Sequence, residues 1–185
     1  MKFISFENWI KESFENSLLE IGEANVKPYP LEKRVHGEYR FETEDGDKYA
    51  IKFQTEEQFP DKEEPYKIAY VAFYTGENLS DPKRADLDRV INKGRILRIL
   101  PTIIEAIKLY LKDYQKYMDE KTFRVPLKYI AMIPGKNDPK DNRRLNIYKA
   151  YINKLLPEAN IILSKLEFED KLYDTLIIDI NDIKL

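Results

Sequence analysis

The sequence predicts an α+β fold in which a mixed, mostly antiparallel sheet is flanked by helices. Three observations carry this prediction. Polar and apolar residues alternate on both sides of Asp45-Gly46, which is typical of a β-hairpin. Two stretches in the second half of the chain place apolar residues at helical spacing. Short apolar runs typical of buried strands stand before, between and after these two stretches.

The composition fits one domain over residues 1–185, with a helix and an arm in 1–35 and an α+β core in 36–185. Hydrophobic residues make up 43% of the chain, which is enough for a sizeable core. The net charge is −2, from 31 basic and 33 acidic residues, so we expect no bulk attraction to nucleic acid or to a membrane. Cysteine is absent and His36 is the only histidine, so we expect no metal site.

An amphipathic helix is predicted near the N-terminus, from Ser5 to Ile21, with Gly22 as its natural end. An extended arm or linker follows in residues 23–34. The acidic Glu7 and the lack of a long apolar core argue against a signal peptide. No run approaches the roughly 18 apolar residues that a membrane-spanning helix needs, so we expect a cytoplasmic protein without a membrane partner.

Three strands are predicted in the first half of the core. The hairpin joins residues 38–43 to residues 48–53, and its apolar positions should share one face of the sheet. Residues 55–65 are acidic and contain two prolines, so they are interpreted as a solvated loop. Residues 66–74 are apolar enough to form a third strand in the centre of the sheet.

Two helices and three strands are predicted in the second half. The apolar stripe of the first helix covers residues 96–114, but Pro101 suggests that the regular helix begins near Leu100, because proline is best tolerated in the first turn. A second helix carries Arg143 to Tyr148 and ends before Pro157. The remaining strands are predicted at residues 127–133, 161–168 and 172–180.

The residues just before the first of these helices form a short motif, Arg89-Val-Ile-Asn92-Lys93-Gly94. This motif resembles the Arg/Gln-x-x-Gly-x-Gly/Ala signature of the GCN5-related N-acetyltransferases, with Asn92 in place of the first glycine. The resemblance implies an acetyltransferase-like element order. It also implies that Arg89 and the backbone from Asn92 through Lys93 and Gly94 to Arg95 hold the pyrophosphate of acetyl-CoA at a helix N-terminus.

The second helix carries a further element of this resemblance, Asp141-x6-Tyr148, which is similar to the Asn-x6-Tyr of the same enzymes. It implies that Tyr148 protonates the departing thiolate. The Gly-Phe that usually follows the tyrosine is replaced by Ile152 and Asn153. The alternative interpretation of Tyr148 is a core aromatic residue at helical spacing.

A second resemblance is to proteins encoded by tailed bacteriophages, which carry a Gly-x-x-x-Arg helix pattern followed by Arg-x-x-x-Tyr. Here these patterns are Gly94 to Arg98 and Arg144 to Tyr148. The resemblance implies a viral source and a site in the host cytoplasm or the virion. The leading functional prediction is a non-catalytic protein that binds a viral or host protein and needs no cofactor. The alternative is an acyl-CoA-dependent N-acyltransferase that uses acetyl-CoA.

Cations cluster around the two helix starts, which suggests a local basic patch. Its members are Lys93, Arg95, Arg98, Arg143 and Arg144. Such a patch can bind a cofactor phosphate, a nucleic-acid backbone or an acidic protein surface, so a nucleic-acid-associated protein is the second alternative. The competing interpretation is a solvated face that Asp86, Asp88 and Asp141 balance.

Overall fold

A computed structural model describes residues 26–35, 37–61, 63–75, 96–119, 125–133, 143–168, 171–181 and 183. Seven strands and two helices lie in this part of the chain. The strands are β1 (Glu32–Lys33), β2 (Glu38–Glu42), β3 (Lys48–Gln58), β4 (Tyr66–Thr75), β5 (Leu127–Met132), β6 (Asn160–Phe168) and β7 (Lys171–Asp179). The helices are α1 (Ile96–Asp119) and α2 (Arg143–Leu155). The helix predicted at residues 5–21 lies outside the described residues.

The strands form one mixed, mostly antiparallel sheet in the order β1-β2-β3-β4-β5-β7-β6. Its one parallel pair of neighbours is β4 with β5, among the strands that are described. Helix α1 connects these two strands, and α2 connects β5 to β6. The α+β class and the mixed, mostly antiparallel sheet predicted from the sequence are confirmed.

The predicted hairpin is confirmed, with Asp45-Gly46 in its turn. Tyr39 is paired with Ile51 and Phe41 with Tyr49, so all four side chains share one face of the sheet, and all four are buried. Gly46 has a φ of 81°, a conformation that glycine adopts without a steric penalty.

Strand β3 is longer than the sequence pattern predicts. Residues 55–58, expected in a loop, continue the antiparallel ladder with β4 from Thr55↔Ala69 to Gln58↔Tyr66. The loop prediction was wrong for these four residues because backbone pairing does not depend on side-chain polarity. Their side chains are mostly exposed, which suits their polar character.

Helix α1 begins at Ile96, so the prediction of a start near Leu100 was wrong. Pro101 lies in its second turn and removes one backbone donor. The neighbouring Thr102 donates its hydroxyl to the Arg98 carbonyl oxygen over 2.7 Å, so the Leu97 carbonyl is still the one that loses its helical partner to Pro101. Burial of Pro101 and its neighbours against the core then favours a continuous helix.

The core lies between the helices and one face of the sheet. As predicted, Ile103, Ile104, Ile107 and Leu111 are buried. The Tyr110 ring of α1 stacks on Phe53 of β3, with ring centroids 4.2 Å apart. Residues from α2, β5 and β7 belong to the same cluster, so both helices contribute to one core.

Several tyrosines of this core are expected to make the protein sensitive to alkali. Burial raises the pKa of Tyr39 and Tyr110 above the ordinary value of 10.0, and Asp113, which accepts a hydrogen bond from Tyr39, raises the pKa of Tyr39 further. Such hydroxyls ionise in the unfolded chain before they ionise in the folded one. Their contribution to stability is therefore complete below pH 10.0 and is lost as the pH rises above it.

We expect the free energy of unfolding to fall above pH 10.0, by at most about 1.4 kcal/mol per pH unit for each such tyrosine. Denaturant titrations on both sides of that pH measure the slope. Tyr110→Phe should give a shallower slope than the wild type, whereas Tyr117→Phe, at an exposed position, should leave it unchanged. Equal slopes in the wild type and in Tyr110→Phe would contradict this prediction.

Candidate functional site

Both helices begin at the same end of the sheet, where β4 and β5 end. This follows from the connections, because α1 returns the chain between two parallel neighbours. Strand β6 is also parallel to β5, since each is antiparallel to β7, so α2 returns the chain in the same way. The first backbone N–H groups of a helix lack partners within it, and ligands of such sheets bind beyond the carboxyl ends of parallel strands.

Among the described strands, the sheet has a gap at this end, one strand wide. Pairing between β4 and β5 stops at Val71↔Met132, although β4 continues to Thr75. Pairing between β5 and β7 stops at Met132↔Leu176, although β7 begins at Lys171. We call this gap the notch. Residues 72–75 form one side, residues 171–175 the other, and Met132 the base. No described residue pairs with either side across it.

The backbone groups that point into the notch can be assigned from the ladders around it. Phe53 N–H donates to the Gly37 carbonyl, so odd-numbered residues of β3 bond to β2 and even-numbered residues bond to β4. The backbone N–H and C=O groups of the even-numbered residues of β4 therefore point toward β3. The backbone groups of the odd-numbered residues Phe73 and Thr75 point into the notch. Lys67 agrees with this assignment, because its N–H donates toward β5, to the Pro126 carbonyl.

The backbone of β7 alternates in the same way between its two neighbouring strands. The Ile180 N–H donates to the Lys128 carbonyl, so the backbone N–H and C=O groups of even-numbered residues of β7 point toward β5. Beyond Leu176, the next residue of this set is Asp174, whose backbone groups therefore face the notch. Adjacent strands lie roughly 4.8 Å apart, so the two sides are separated by about 9.5 Å. This spacing admits one extended chain that carries amide groups.

Aromatic side chains line the β4 side of the notch on both faces of the sheet. Phe73 lies on the helix side, where its ring is 5.2 Å from that of Tyr49. Tyr74 lies on the opposite face, with the Lys52 amine 5.3 Å from its ring centroid. The Tyr74 hydroxyl is protonated at neutral pH and can donate a hydrogen bond, and burial raises its pKa further above the ordinary value of 10.0.

A cluster of charges lies beside Tyr74 on that opposite face. Glu38 accepts a hydrogen bond from Arg40 over 2.6 Å, and its other oxygen is 3.4 Å from the Lys52 amine. Only 12% of the Glu38 side chain is exposed, so most of it is removed from solvent. The three residues together carry a net charge of +1.

The motif before α1 lies outside the described residues. This applies to its members Arg89, Asn92, Lys93, Gly94 and Arg95. The side chains of Arg143 and Arg144 lie outside them as well, although the backbone of both residues forms the start of α2. Of the predicted basic patch, Arg98 and the backbone of Arg143 and Arg144 lie near the two helix starts, at one end of the sheet.

Arg98 has well-defined contacts. Its guanidinium donates to the Lys27 carbonyl over 3.0 Å, pairs with the Glu44 carboxylate, and lies 4.0 Å from the centroid of the Tyr29 ring. Tyr29 donates its hydroxyl to Glu44 over 2.8 Å and its N–H to Thr102 over 2.8 Å. Arg98 therefore connects the arm at residues 26–31 to α1 and to the hairpin turn, and Glu44 balances its charge.

Tyr148 lies in the second turn of α2, half-buried and packed against the core. With a rise of about 1.5 Å per residue, it is roughly 7.5 Å along the axis from the start of the helix. It therefore lies near the end of the sheet that carries the notch.

A shallow groove on another part of the surface is too small to serve as the main site. It has a volume of about 210 Å³ and lies between residues 26–28, α1 and Leu155 of α2. Pockets for small-molecule ligands usually measure about 300–1,000 Å³. The notch is the better candidate because no described strand pairs with the Phe73 and Thr75 backbone on its β4 side.

The notch was not predicted from the sequence. The signal was present in the strand lengths, because β4 has 10 residues and its neighbour β5 has 6. The order of the sheet was also needed, since β7 follows β6 along the chain but lies next to β5.

The comparisons with known proteins found no matching family, no matching curated protein and no matching solved structure. Neither of the described helices is long and apolar enough to cross a membrane. Within the described ranges, no group of three or more acidic or histidine side chains is arranged to hold a metal ion.

Proposed function

We propose that this chain binds an acyl-CoA in the notch and acts as an N-acyltransferase with an acetyltransferase-like order of elements. The observation that carries the proposal is the one-strand gap between β4 and β7, at the end of the sheet where both helices begin. The strand order β1-β2-β3-β4-β5-β7-β6, with its central parallel pair, supports the same architecture.

The chemistry of the notch suits the extended arm of an acyl-CoA. The pantetheine part of this molecule carries amide groups along a thin, flexible chain. These amides can pair with the backbone of Phe73 and Thr75, as a peptide does when it adds a strand to an open sheet edge. The thioester would then lie toward Met132, at the base of the notch.

The pyrophosphate of the ligand requires donors or cations at the same end. The start of α1 provides backbone N–H groups there, and the motif from Arg89 to Arg95 directly precedes it. We assign Arg89, Asn92, Lys93, Gly94 and Arg95 to this role. Tyr148 is assigned as the donor of a proton to the departing thiolate, a role that requires its neutral form.

Titration with acetyl-CoA, followed by calorimetry and thermal unfolding, tests this proposal. We expect a stabilisation of about 2.7 kcal/mol at a hundredfold excess of ligand over its dissociation constant. Thr75→Pro removes a backbone donor that faces the notch and should weaken binding about tenfold, which corresponds to about 1.4 kcal/mol. Thr75→Val keeps that donor and is the matched control.

Two further variants separate the roles of the site. Gly94→Val places a branched side chain in the phosphate motif and should weaken binding. Tyr148→Phe should retain binding and lower the rate of acyl transfer to an amine. The absence of any stabilisation by acetyl-CoA would overturn the proposal.

The second candidate is a non-catalytic role in binding a viral or host protein, with the chain acting in the host cytoplasm or as part of a virion. An exposed aromatic residue favours this candidate, because 70% of Phe59 is accessible in the loop between β3 and β4. A protein with this role would show no thermal shift with acetyl-CoA. Nucleic-acid binding is not proposed, because Arg98, the patch member with described side-chain contacts, is already paired with Glu44.

A further inference from the structure

The two edges of the sheet differ strongly. At one edge, β1 has 2 residues, which leaves little backbone to pair with another chain. At the other edge, β6 has 9 residues and pairs with β7 along its whole length without a bulge. No described strand covers the outer side of β6. An open edge of this length is a template for a further strand.

Strand β6 lacks most of the features that protect edge strands. It contains no proline, and Lys165 is the single charged residue among its described exposed side chains. Ile162 and Leu163 are 40% and 53% exposed, although both are large and apolar. Since neighbouring residues of a strand point to opposite faces, apolar surface is exposed on both sides of this edge.

The backbone groups at this edge can be assigned from the ladder between β6 and β7. Even-numbered residues of β7 bond to β5, so its odd-numbered residues bond to β6. Their partners on β6 are the even-numbered residues, from Asn160↔Asp179 to Phe168↔Lys171. The N–H and C=O groups of Ile161, Leu163, Lys165 and Glu167 therefore point outward.

We propose that β6 pairs with β6 of a second copy of this chain, in antiparallel orientation about a twofold axis at Ser164. Ser164 is the central residue of β6, so this register uses all four outward-pointing residues of each copy. Leu163 then pairs with Lys165 of the other copy, and Ile161 pairs with Glu167 of the other copy. No two like charges stand directly opposite each other, and the two sheets continue as one.

A second copy is favoured over another partner because the edge is complementary to itself. A twofold axis requires the same surface on both sides, and an antiparallel strand pair meets this condition without any change of shape. A register centred on Leu163 would leave Glu167 and Phe168 unpaired. A register centred on Lys165 would place two lysines opposite each other.

The absence of native cysteine allows a direct test by cross-linking. In the proposed register the two copies of Ser164 form a non-hydrogen-bonded pair, with Cα atoms about 4.5 Å apart, within the range of a disulfide. Ser164→Cys should therefore form a covalent dimer under mild oxidation. Leu163→Cys is the matched control. In the proposed register, residue 163 faces residue 165 of the other copy, so the Cα atoms of the two residues 163 would be about 8 Å apart, too far for a disulfide.

Sedimentation over a wide range of concentration gives the independent measurement. The wild type should show a concentration-dependent dimer. Leu163→Pro should be monomeric and still folded, because the N–H that it removes points outward and not toward β7. A wild type that stays monomeric, together with equal or absent cross-linking in the two cysteine variants, would overturn the proposal. Preferential cross-linking of Leu163→Cys would overturn the proposed register.

Discussion

Replacing Ile107 with alanine is expected to lower the free energy of unfolding by about 2–5 kcal/mol. Ile107 has 0% exposure and lies in the middle of the buried stripe of α1. The substitution removes buried methyl and methylene groups and leaves a cavity that the neighbouring rings cannot fill. Tyr110 and Phe53 are held face to face close by, so the surroundings have little freedom to collapse.

Denaturant titration measures this loss, and Ile133→Ala is the matched control. Ile133 is the same residue type but is 39% exposed, so its truncation should cost clearly less. A loss below about 1 kcal/mol for Ile107→Ala would show that this face of α1 is not packed against the sheet.

Replacing Gly37 with alanine is expected to lower the free energy of unfolding by about 2–5 kcal/mol, from two effects that add. Gly37 has a φ of 75°, which costs a residue with a Cβ atom about 1–2 kcal/mol. The new Cβ would also lie 3.0 Å from the Phe53 carbonyl oxygen. That oxygen belongs to the backbone of a paired strand, so the strand itself must shift, at a further cost of about 1–3 kcal/mol.

Gly46→Ala separates these two effects. Gly46 has a similar φ of 81°, but the nearest atom to its added Cβ is a flexible Glu42 carboxylate oxygen at 3.8 Å. This variant should therefore lose only about 1–2 kcal/mol. The difference between the two variants, measured in the same denaturant series, reports the close approach of Gly37 to β3. Equal losses would contradict the steric argument.

Local patterns in the sequence predicted most of the secondary structure. The alternation around Asp45-Gly46 predicted the hairpin and its buried face, since Tyr39, Phe41, Tyr49 and Ile51 lie where the period of two places them. The apolar spacing of α1 predicted its buried face in the same way. The predictions from sequence were wrong where a local signal competes with tertiary packing or strand pairing. Pro101 did not end the helix, and the acidic residues 55–58 did not end β3.

The proposed functional residues were predictable only in part. The motif from Arg89 to Arg95 and Tyr148 were selected because their types and spacing resemble those of known enzymes. That kind of signal lies within a few residues of the chain. Such short motifs do not predict contacts between distant residues. Arg98 is an example, because its partners Lys27 and Glu44 are 71 and 54 residues away and nothing near Arg98 in the sequence indicates them.

The sequence by itself determined the class of this protein: an α+β domain with its helices between strands and an apolar core. Hydrophobic periodicity carries that information, because each helix or strand must bury its own apolar side. The tertiary structure alone decided the order of the strands. That order placed β7 next to β5, opened the notch beyond Met132 and left β6 at the edge. Strand order depends on pairing between distant segments, and the energy of such pairing lies in backbone groups that every residue shares.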